Sequence, residues 1–431
     1  ARHGAQRVMQ QAGTLRLRFA EPTCDAHRPY GQRGKPLVGK AHRLQAAHFG
    51  RDGGQGGHRQ VGQGRFEGAE ALAAELTKRG CRLALITDRR GGAWNGALDG
   101  VETHRIRAGG LAGKSFAARL QSGPELAIGT WQARGLLKRL GPRCVVGFGG
   151  YASVPTMLAA SFGNYHTAIH EQNAVLGRAN RLLASRVDCI ATAFEKPEGL
   201  PAHAATRARH TGMPVRPTFT AVQDVPYPAI TSDGKISLLV IGGSQGAHVF
   251  SAVVPKALGL MDEGLKARLK VSQQCRSEDL EQTRSHYQSL GIDAELQTFF
   301  DDIPERLSAA HLLIGRSGAS TVAETLIAGR PALLVPSPHA IDDHQTRNAH
   351  AIDEVGAGWL MPEPSFTAPG LAARLDSLFG LPAILEKAAA AAKGDTAKDA
   401  AGRLADVVCA LLPKGDNGNG NGGPESERRA A

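Results

Sequence analysis

Helices that stop at glycine and hand over to short, continuously apolar strands recur along this chain, and that rhythm narrows its fold more than any other feature. In "EGAEALAAELTKRGCRLALITD", residues 67–88, an amphipathic helix ends at Gly80 and the strand "RLALITD" follows. "WQARGLLKRL" runs through Gly141-Pro142 into "CVVGFGG", "SVPTMLAASFG" precedes "HTAIHEQN", and "AVLGRANRLLASR" precedes "VDCIATAF". Residues 211–234, rich in Pro and polar residues, read as a hinge. A second series then begins: "KISLLVIGG", a helix to about Gly259, "RLKVSQQC", a helix, "AELQTFF", "HLLIGRSG", a helix, "RPALLVPSP". Apolar strands alternating with helices predict a parallel sheet covered on both faces. The interruption predicts an α/β protein of two doubly wound domains in tandem, with a cleft between them. An Ala-rich helical stretch runs from Pro382 to near Leu412, and the tail "KGDNGNGNGGPESERRAA" has the composition of disordered chain.

The 431 residues suffice for two domains. A net charge of +11 suggests nucleic acid or an anionic membrane as partner. Its distribution argues otherwise for the folded part. Residues 1–66 hold 12 Lys and Arg against 3 Asp and Glu, which leaves 39 against 37 for the remainder. Nucleic-acid binding is therefore not expected. The six cysteines, Cys24, Cys81, Cys144, Cys189, Cys275 and Cys409, have no paired spacing and read as buried single thiols in a reducing compartment. Residues 1–20 lack the apolar core of a signal peptide, and no stretch reaches 18 apolar residues. The expected location is cytoplasmic, with any membrane contact peripheral.

In open parallel sheets, ligands bind at the carboxyl ends of the strands, and each informative motif sits at such an edge. "LLVIGGSQGAHVF", residues 238–250, runs from strand through Gly242-Gly243-Ser244-Gln245-Gly246 into a helix. It reads either as a phosphate loop, with a helix dipole and free N–H groups behind it, or as a tight turn needing glycine for positive φ. The Walker and G-x-G-x-x-G patterns are absent. "LLIGRSGASTVAETLIAGRPALLVP", residues 312–336, repeats the arrangement. There Thr321 and Glu324 have capping-box spacing, or Glu324 faces the cleft and accepts from sugar hydroxyls. "VVGFGGYASVPTMLAA" is a ligand loop or a well-capped turn. In "AIHEQNAVLGRANRLLA" the zinc motif H-E-x-x-H fails because residue 174 is Ala; four polar residues after a strand are expected to face the cleft. "HAIDDHQTRNA" offers His344, Gln345 and Asn348 at one helix start, as ligands or as ordinary caps.

From about Ala69 to Leu412 the chain resembles the MurG family, the UDP-N-acetylglucosamine:lipid I N-acetylglucosaminyltransferases of peptidoglycan synthesis. "GFGGYASVP", "HEQNAVLGRAN", "GMPVR", "GGSQGA", "RSGASTVAE" and "DDHQTRNA" occur in family order and at family-like spacing. The resemblance implies a GT-B fold, two Rossmann-like domains with a C-terminal helix crossing back to the first. It implies UDP-GlcNAc as donor, lipid I (undecaprenyl-pyrophosphoryl-MurNAc-pentapeptide) as acceptor, and a peripheral place on the cytoplasmic face of the inner membrane. By the same resemblance, Ser244 and Arg216 contact the donor, Asn173 reaches the sugar or acceptor side, and the backbone at Phe300 frames uracil. Ala319, Ser320, Thr321, Val322, Ala323 and Glu324 supply helix-start amides and the ribose carboxylate, and His344 and Gln345 bind GlcNAc hydroxyls. The implied chemistry is metal-independent and inverting, with no cofactor: the acceptor's C4 hydroxyl attacks the anomeric carbon, and a helix dipole stabilises the leaving diphosphate. Met213 departs from the family's usual Asn.

"RDGGQGGHRQVGQGRF", residues 51–66, is where the chain departs most. The family opens with a strand, a G-G-T-G-G-H loop and a short turn into a helix. Here "GGQGGH" carries Gln55 for Thr, with Gly56, Gly57 and His58 in place for substrate contact and general-base chemistry. Upstream, "HRLQAAHFGRD" makes no buried parallel strand, and residues 1–66 as a whole contain no strand-length apolar run. The segment reads as disordered or non-native sequence, as a reading-frame slip in a GC-rich gene would produce. The expected division is 1–66 atypical, 67–215 acceptor and membrane side, 216–385 donor side, 386–413 returning helix and 414–431 disordered tail.

Two other functions are consistent with parts of this sequence. A UDP-sugar-binding protein without turnover would follow from a defective N-terminal loop. A nicotinamide-dependent dehydrogenase needs G-x-G-x-x-G, and Gly147-Phe148-Gly149-Gly150-Tyr151-Ala152 lacks its third glycine. For the membrane, "HRIRAGGLAGKSFAARL", residues 104–120, mixes basic and apolar residues and reads as a segment lying on anionic lipid or as a solvated loop.

Overall fold

The computed structural model describes residues 14–19, 67–88, 98–108, 116–243, 247–393 and 399–412. Among these, two sheets form, each with helices on both faces. The first domain contains β1 (Thr14–Phe19), α1 (Glu67–Lys78), β2 (Cys81–Asp88), β3 (Glu102–Ile106), α2 (Phe116–Leu140) and β4 (Cys144–Gly147). It continues with α3 (Val154–Ser161), β5 (His166–Glu171), α4 (Arg178–Leu183), β6 (Cys189–Thr192) and β7 (Ala208–His210). The sheet order is β3-β2-β1-β4-β5-β6-β7. In α1 the apolar residues Ala69, Leu72, Ala73 and Leu76 recur at helical spacing and are buried on one sheet face. Ala133, Leu136 and Leu137 of α2 and Met157 and Ala160 of α3 cover the other face.

β1 departs from the sequence-based expectation. The composition of 1–66 predicts no strand, yet Thr14–Phe19 holds the centre of the first sheet, antiparallel to both β2 and β4. Leu15 stands opposite Leu85 and Val146, and Leu17 opposite Leu83 and Cys144. The reason is chemical: β2 and β4 carry backbone N–H and C=O groups that need partners at the sheet centre. "TLRLRF" alternates with period two, which a search for continuous apolar runs passes over.

A short α5 (Pro217–Thr220) follows the crossing between domains. The second domain then runs β8 (Ile236–Ile241), α6 (His248–Gly259), α7 (Glu263–Lys266), β9 (Leu269–Gln274), α8 (Leu280–Ser289), β10 (Asp293–Gln297), α9 (Ile303–Ala309) and β11 (Leu312–Gly315). α10 (Ala319–Ala328), β12 (Ala332–Leu334), α11 (His344–Glu354), β13 (Gly358–Leu360), α12 (Ala368–Gly380) and α13 (Pro382–Ala392) complete it. All pairings are parallel, in the order β10-β9-β8-β11-β12-β13. α6, α8 and α12 pack on one face and α10 and α11 on the other. α14 (Ala400–Ala410) returns to the first domain, where Leu404, Ala405 and Val408 pack with α1 and Arg79 pairs with Asp406 at 2.6 Å.

The crossing segment itself is fastened to the second domain. Arg330 is fully buried and donates to the carbonyls of Ser308 (2.9 Å), Pro226 (2.9 Å) and Ala328 (2.7 Å), and Lys393 reaches Val225 at 3.2 Å. No carboxylate pairs with this guanidinium among the described residues; main-chain oxygens hold it, and burial lowers its affinity for the proton.

Candidate functional site

Between the carboxyl edges of the two sheets lies a cavity of about 890 Å³. It has the size expected of a ligand site. Its second-domain wall is built from strand ends. β8 ends at Gly242-Gly243, and Gly243 has φ +80, a conformation that favours glycine. Ser244 follows it and lies outside the described residues, as do Gly56, Gly57 and His58. β11 ends in a turn to α10, whose N-cap is Gly318. A glycine cap carries no side chain, and no side-chain cap hydrogen bond forms from the N-cap position of α10. The capping-box alternative for Thr321 and Glu324 therefore fails. The Val322 amide bonds back to the Gly318 carbonyl at 3.0 Å, and the side chains of Val322 and Ala323 are buried outside the cavity lining. Of the six residues in that run, Ala319, Ser320, Thr321 and Glu324 reach the cavity.

Glu324 meets Arg216, from the crossing segment, at 3.1 Å, and Arg216 stands 3.4 Å from Glu67 at the start of α1. The Ser320 hydroxyl bonds to Glu67. Two buried carboxylates thus share one guanidinium. Burial and the charge of Glu67 push Glu324 up to about 8, and burial raises Glu67 as well. The cluster joins the two domains across the cavity floor. Glu67 and Arg316, which also line the cavity, were not singled out from sequence. Arg316 was visible inside the "GRSGAS" motif; it donates to the carbonyls of Val335 and Pro336 and pairs with Glu363 at 2.6 Å.

The side chains at the start of α11 are oriented by the backbone. Gln345 Oε1 accepts from the Ser337 amide at 2.8 Å, which fixes the orientation of its side-chain amide. His344 Nδ1 donates to the Ile341 carbonyl at 2.7 Å, which leaves Nε2 as an acceptor. Both line the cavity. The turn before them carries Asp342 (φ 53) and Asp343 (φ 50), left-handed positions unusual for residues with a side chain. Arg178 of α4 grips Asp342 at 2.6 Å, and Thr346 donates to Asp343 at 2.6 Å. Phe300 lines the far end, with Arg306 stacked 4.1 Å from its ring centre.

The first-domain wall centres on the end of β5. His170, Glu171, Gln172 and Asn173 all line the cavity, as four polar residues after a strand were expected to; the first three are also buried, and His170 and Glu171 are held there by hydrogen-bond partners. His170 Nε2 donates to the Gly212 carbonyl at 3.0 Å, and burial lowers the ring to about 4, so it is neutral. Glu171 accepts from the Asn173 amide (3.0 Å), Asn173 Nδ2 (3.2 Å), the Gly177 amide (2.8 Å) and Asn180 Nδ2 (2.8 Å). Four donors offset the desolvation of this carboxylate and shape the loop that presents Asn173 to the cavity. Among the described residues no group of three or more His, Cys, Asp or Glu is placed to hold a metal ion.

Residues 53–192 match the glycosyltransferase family 28 N-terminal domain and residues 237–404 match the glycosyltransferase family 28 C-terminal domain. The chain is 54% identical over 361 residues to the UDP-N-acetylglucosamine--N-acetylmuramyl-(pentapeptide) pyrophosphoryl-undecaprenol N-acetylglucosamine transferase of Paramagnetospirillum magneticum, covering 84% of this chain and 95% of that protein. It is 51% identical over 383 residues to the protein of the same name from Rhodospirillum centenum, covering 88% and 97%. Among solved structures, Acinetobacter baumannii MurG superposes with a TM-score of 0.65 at 27% identity, over 80% of this chain and 96% of that one. The glycotransferase of kitacinnamycin, at 14% identity and a TM-score of 0.59, shares the fold.

Proposed function

The chain belongs to glycosyltransferase family 28, and from that premise we propose how its cleft binds donor and acceptor. It is a GT-B enzyme that moves GlcNAc from UDP-GlcNAc to lipid I in peptidoglycan synthesis. The observation that carries the assignment of residues is the convergence of the glycine-capped start of α10, Arg216 and Glu324 on one cavity. The amides of Ala319, Ser320 and Thr321 and the dipole of α10 receive the diphosphate, and Arg216 adds a full positive charge. Glu324 accepts from the ribose hydroxyls. Ser244, in the Gly-rich turn after β8, donates to the same nucleotide, and the backbone at Phe300 edges the base. The NH₂ of Gln345 and Nε2 of His344 hold the sugar hydroxyls from the side opposite Asn173. Main-chain amides need no reorganisation when charge develops on the departing diphosphate, which is the condition for stabilising it. His58 serves as the base for the acceptor's C4 hydroxyl.

Transfer of labelled GlcNAc from UDP-GlcNAc to a lipid I analogue tests the reading. The parent protein transfers, Glu324→Ala loses at least about 100-fold in kcat/KM, and UDP binds equally well in the presence of EDTA. A parent that binds UDP only when magnesium is added overturns the assignment of the diphosphate site.

The acceptor is membrane-bound, and the first domain offers a surface for it. Trp131 is 76% exposed and Phe162 66% exposed; together with Leu126, Ala127 and Leu158 they border one groove, and Arg134, Lys138 and Arg139 stand on the same helix, α2. Exposed aromatics beside cations suit the headgroup region of an anionic bilayer. Of the stretch 104–120 expected to lie there, residues 109–115 are outside the described residues. No helix among the described residues is long and apolar enough to cross a membrane. Co-sedimentation with phosphatidylglycerol vesicles that survives the double change Trp131→Ala, Phe162→Ala removes this face from the account.

A further inference from the structure

Asn348, in the second turn of α11, contributes nothing to the cavity lining yet connects its two walls. Its side chain is fully buried. Oδ1 accepts from the Ala174 amide at 2.8 Å, and Nδ2 donates to Asn173 Oδ1 at 3.2 Å and to the Ser317 carbonyl at 3.1 Å. The orientation of the amide is fixed by these partners, since an N–H only donates and a carbonyl only accepts. Ala174 and Asn173 belong to the first domain; Ser317 belongs to the second. Ser317 in turn donates from its hydroxyl to the carbonyl of Gln345 at 2.8 Å. On the other side Asn173 Nδ2 donates to Glu171. The result is one continuous chain of hydrogen bonds, Glu171 to Asn173 to Asn348 to Ser317 to Gln345, crossing from the acceptor wall to the donor-sugar wall. Two neighbouring cross-domain ion pairs, Arg178 with Asp342 and Arg347 with Glu198, are partly or well exposed and screened. The buried Glu67–Arg216–Glu324 cluster joins the domains at the cavity floor, whereas the Asn348 amide bonds directly to both the Asn173 loop and the turn that leads to Gln345.

We propose that Asn348 is a positioning residue for the transfer step: it holds the Asn173 loop and the Ser317–Gln345 turn at the separation at which acceptor hydroxyl and anomeric carbon align. This rests on the functional reading above. Asn348 touches neither substrate, so its loss leaves nucleotide binding in place and slows transfer, because a displacement of about 1 Å costs roughly 100-fold in an aligned reaction. Asn348→Ala removes all three bonds. Asn348→Asp keeps the volume and the acceptor for Ala174 and replaces both donors by an oxygen facing Asn173 Oδ1 and the Ser317 carbonyl.

Both variants are assayed for kcat and donor KM with UDP-GlcNAc and a lipid I analogue, for UDP affinity and for Tm. The expected result is a kcat at least about tenfold lower in both, with UDP affinity and donor KM within twofold of the parent. Either variant turning over within twofold of the parent overturns the proposal. So does a loss of kcat matched by an equal loss of UDP-binding-competent protein, which is the signature of a merely structural role. If the parent transfers no GlcNAc, the functional reading falls and this inference falls with it; if the parent and both variants transfer equally, the inference alone fails.

Discussion

The two sheets solve the same architectural problem with different resources. In the second, each strand is delivered by its own local βα unit, and every pairing is parallel. In the first, the central place is taken by β1, which runs antiparallel to both neighbours and precedes α1 by nearly fifty residues. A local supply of strands makes a sheet self-sufficient, whereas a sheet whose middle arrives from a distance depends on one loop closure. The ligand-binding walls follow suit. Helix-start amides and backbone-oriented side chains build the second domain's wall, while a single buried carboxylate, Glu171, organises the first's.

That contrast can be broken or sharpened in four ways. The largest effect is expected in the second domain. Arg330→Ala leaves the carbonyls of Ser308, Pro226 and Ala328 buried without their donor and costs about 4 kcal/mol. Calorimetry should show the second domain's transition falling, and a change confined to the first domain's transition would contradict the fastening described here. Leu17→Pro removes a ladder N–H from β1 and costs about 3 kcal/mol. It should lower the first domain's transition by about 10 °C and leave the second's in place; an unmoved first transition would mean that β1 is dispensable. Acid sharpens the same distinction. Unfolded His170 takes up a proton as pH falls below 6.5, whereas the folded ring resists until about 4. Stability present above pH 6.5 is therefore lost on acidification, by about 2 kcal/mol at pH 5 relative to pH 7.5. In urea titrations His170→Gln should flatten that slope, and an unchanged slope assigns the acid loss elsewhere. Smallest is Glu171→Gln, expected to cost about 1.5 kcal/mol and to weaken the lipid I analogue more than UDP; equal weakening of both would remove Glu171 from the acceptor wall.

How much of this was legible in sequence follows the same division. β2, β4, β5, β6, β8, β11 and β12 stand out as apolar runs beside helical stretches, and the more polar β9 and β10 are placed by their alternation with helices. β3, β7 and β13 do not, and each lies at the end of its sheet, where one side needs no apolar partner. β1 escaped because its alternating pattern is not what a central parallel strand carries. Motif residues Asn173, Arg216, Glu324, His344 and Gln345 do converge on one cavity. Glu67 and Asn348 show why convergence is only part of a site. The first enters through a tertiary approach that spacing does not encode, and the second sits where a helix-start amide reads as an ordinary cap. Val322 and Ala323 illustrate the converse: a contiguous motif on a helix turns some of its members inward.

One consequence of the buried Arg330 concerns the passage between domains. Because Arg330 and Lys393 anchor Val225 and Pro226, the chain from α5 onward is fastened to the second domain, and the first of the two crossings between domains is confined to the few residues just before α5. Arg216 lies in that stretch. The residue assigned to the nucleotide's charge therefore also stands at the joint between the two halves of the enzyme, within reach of a carboxylate from each.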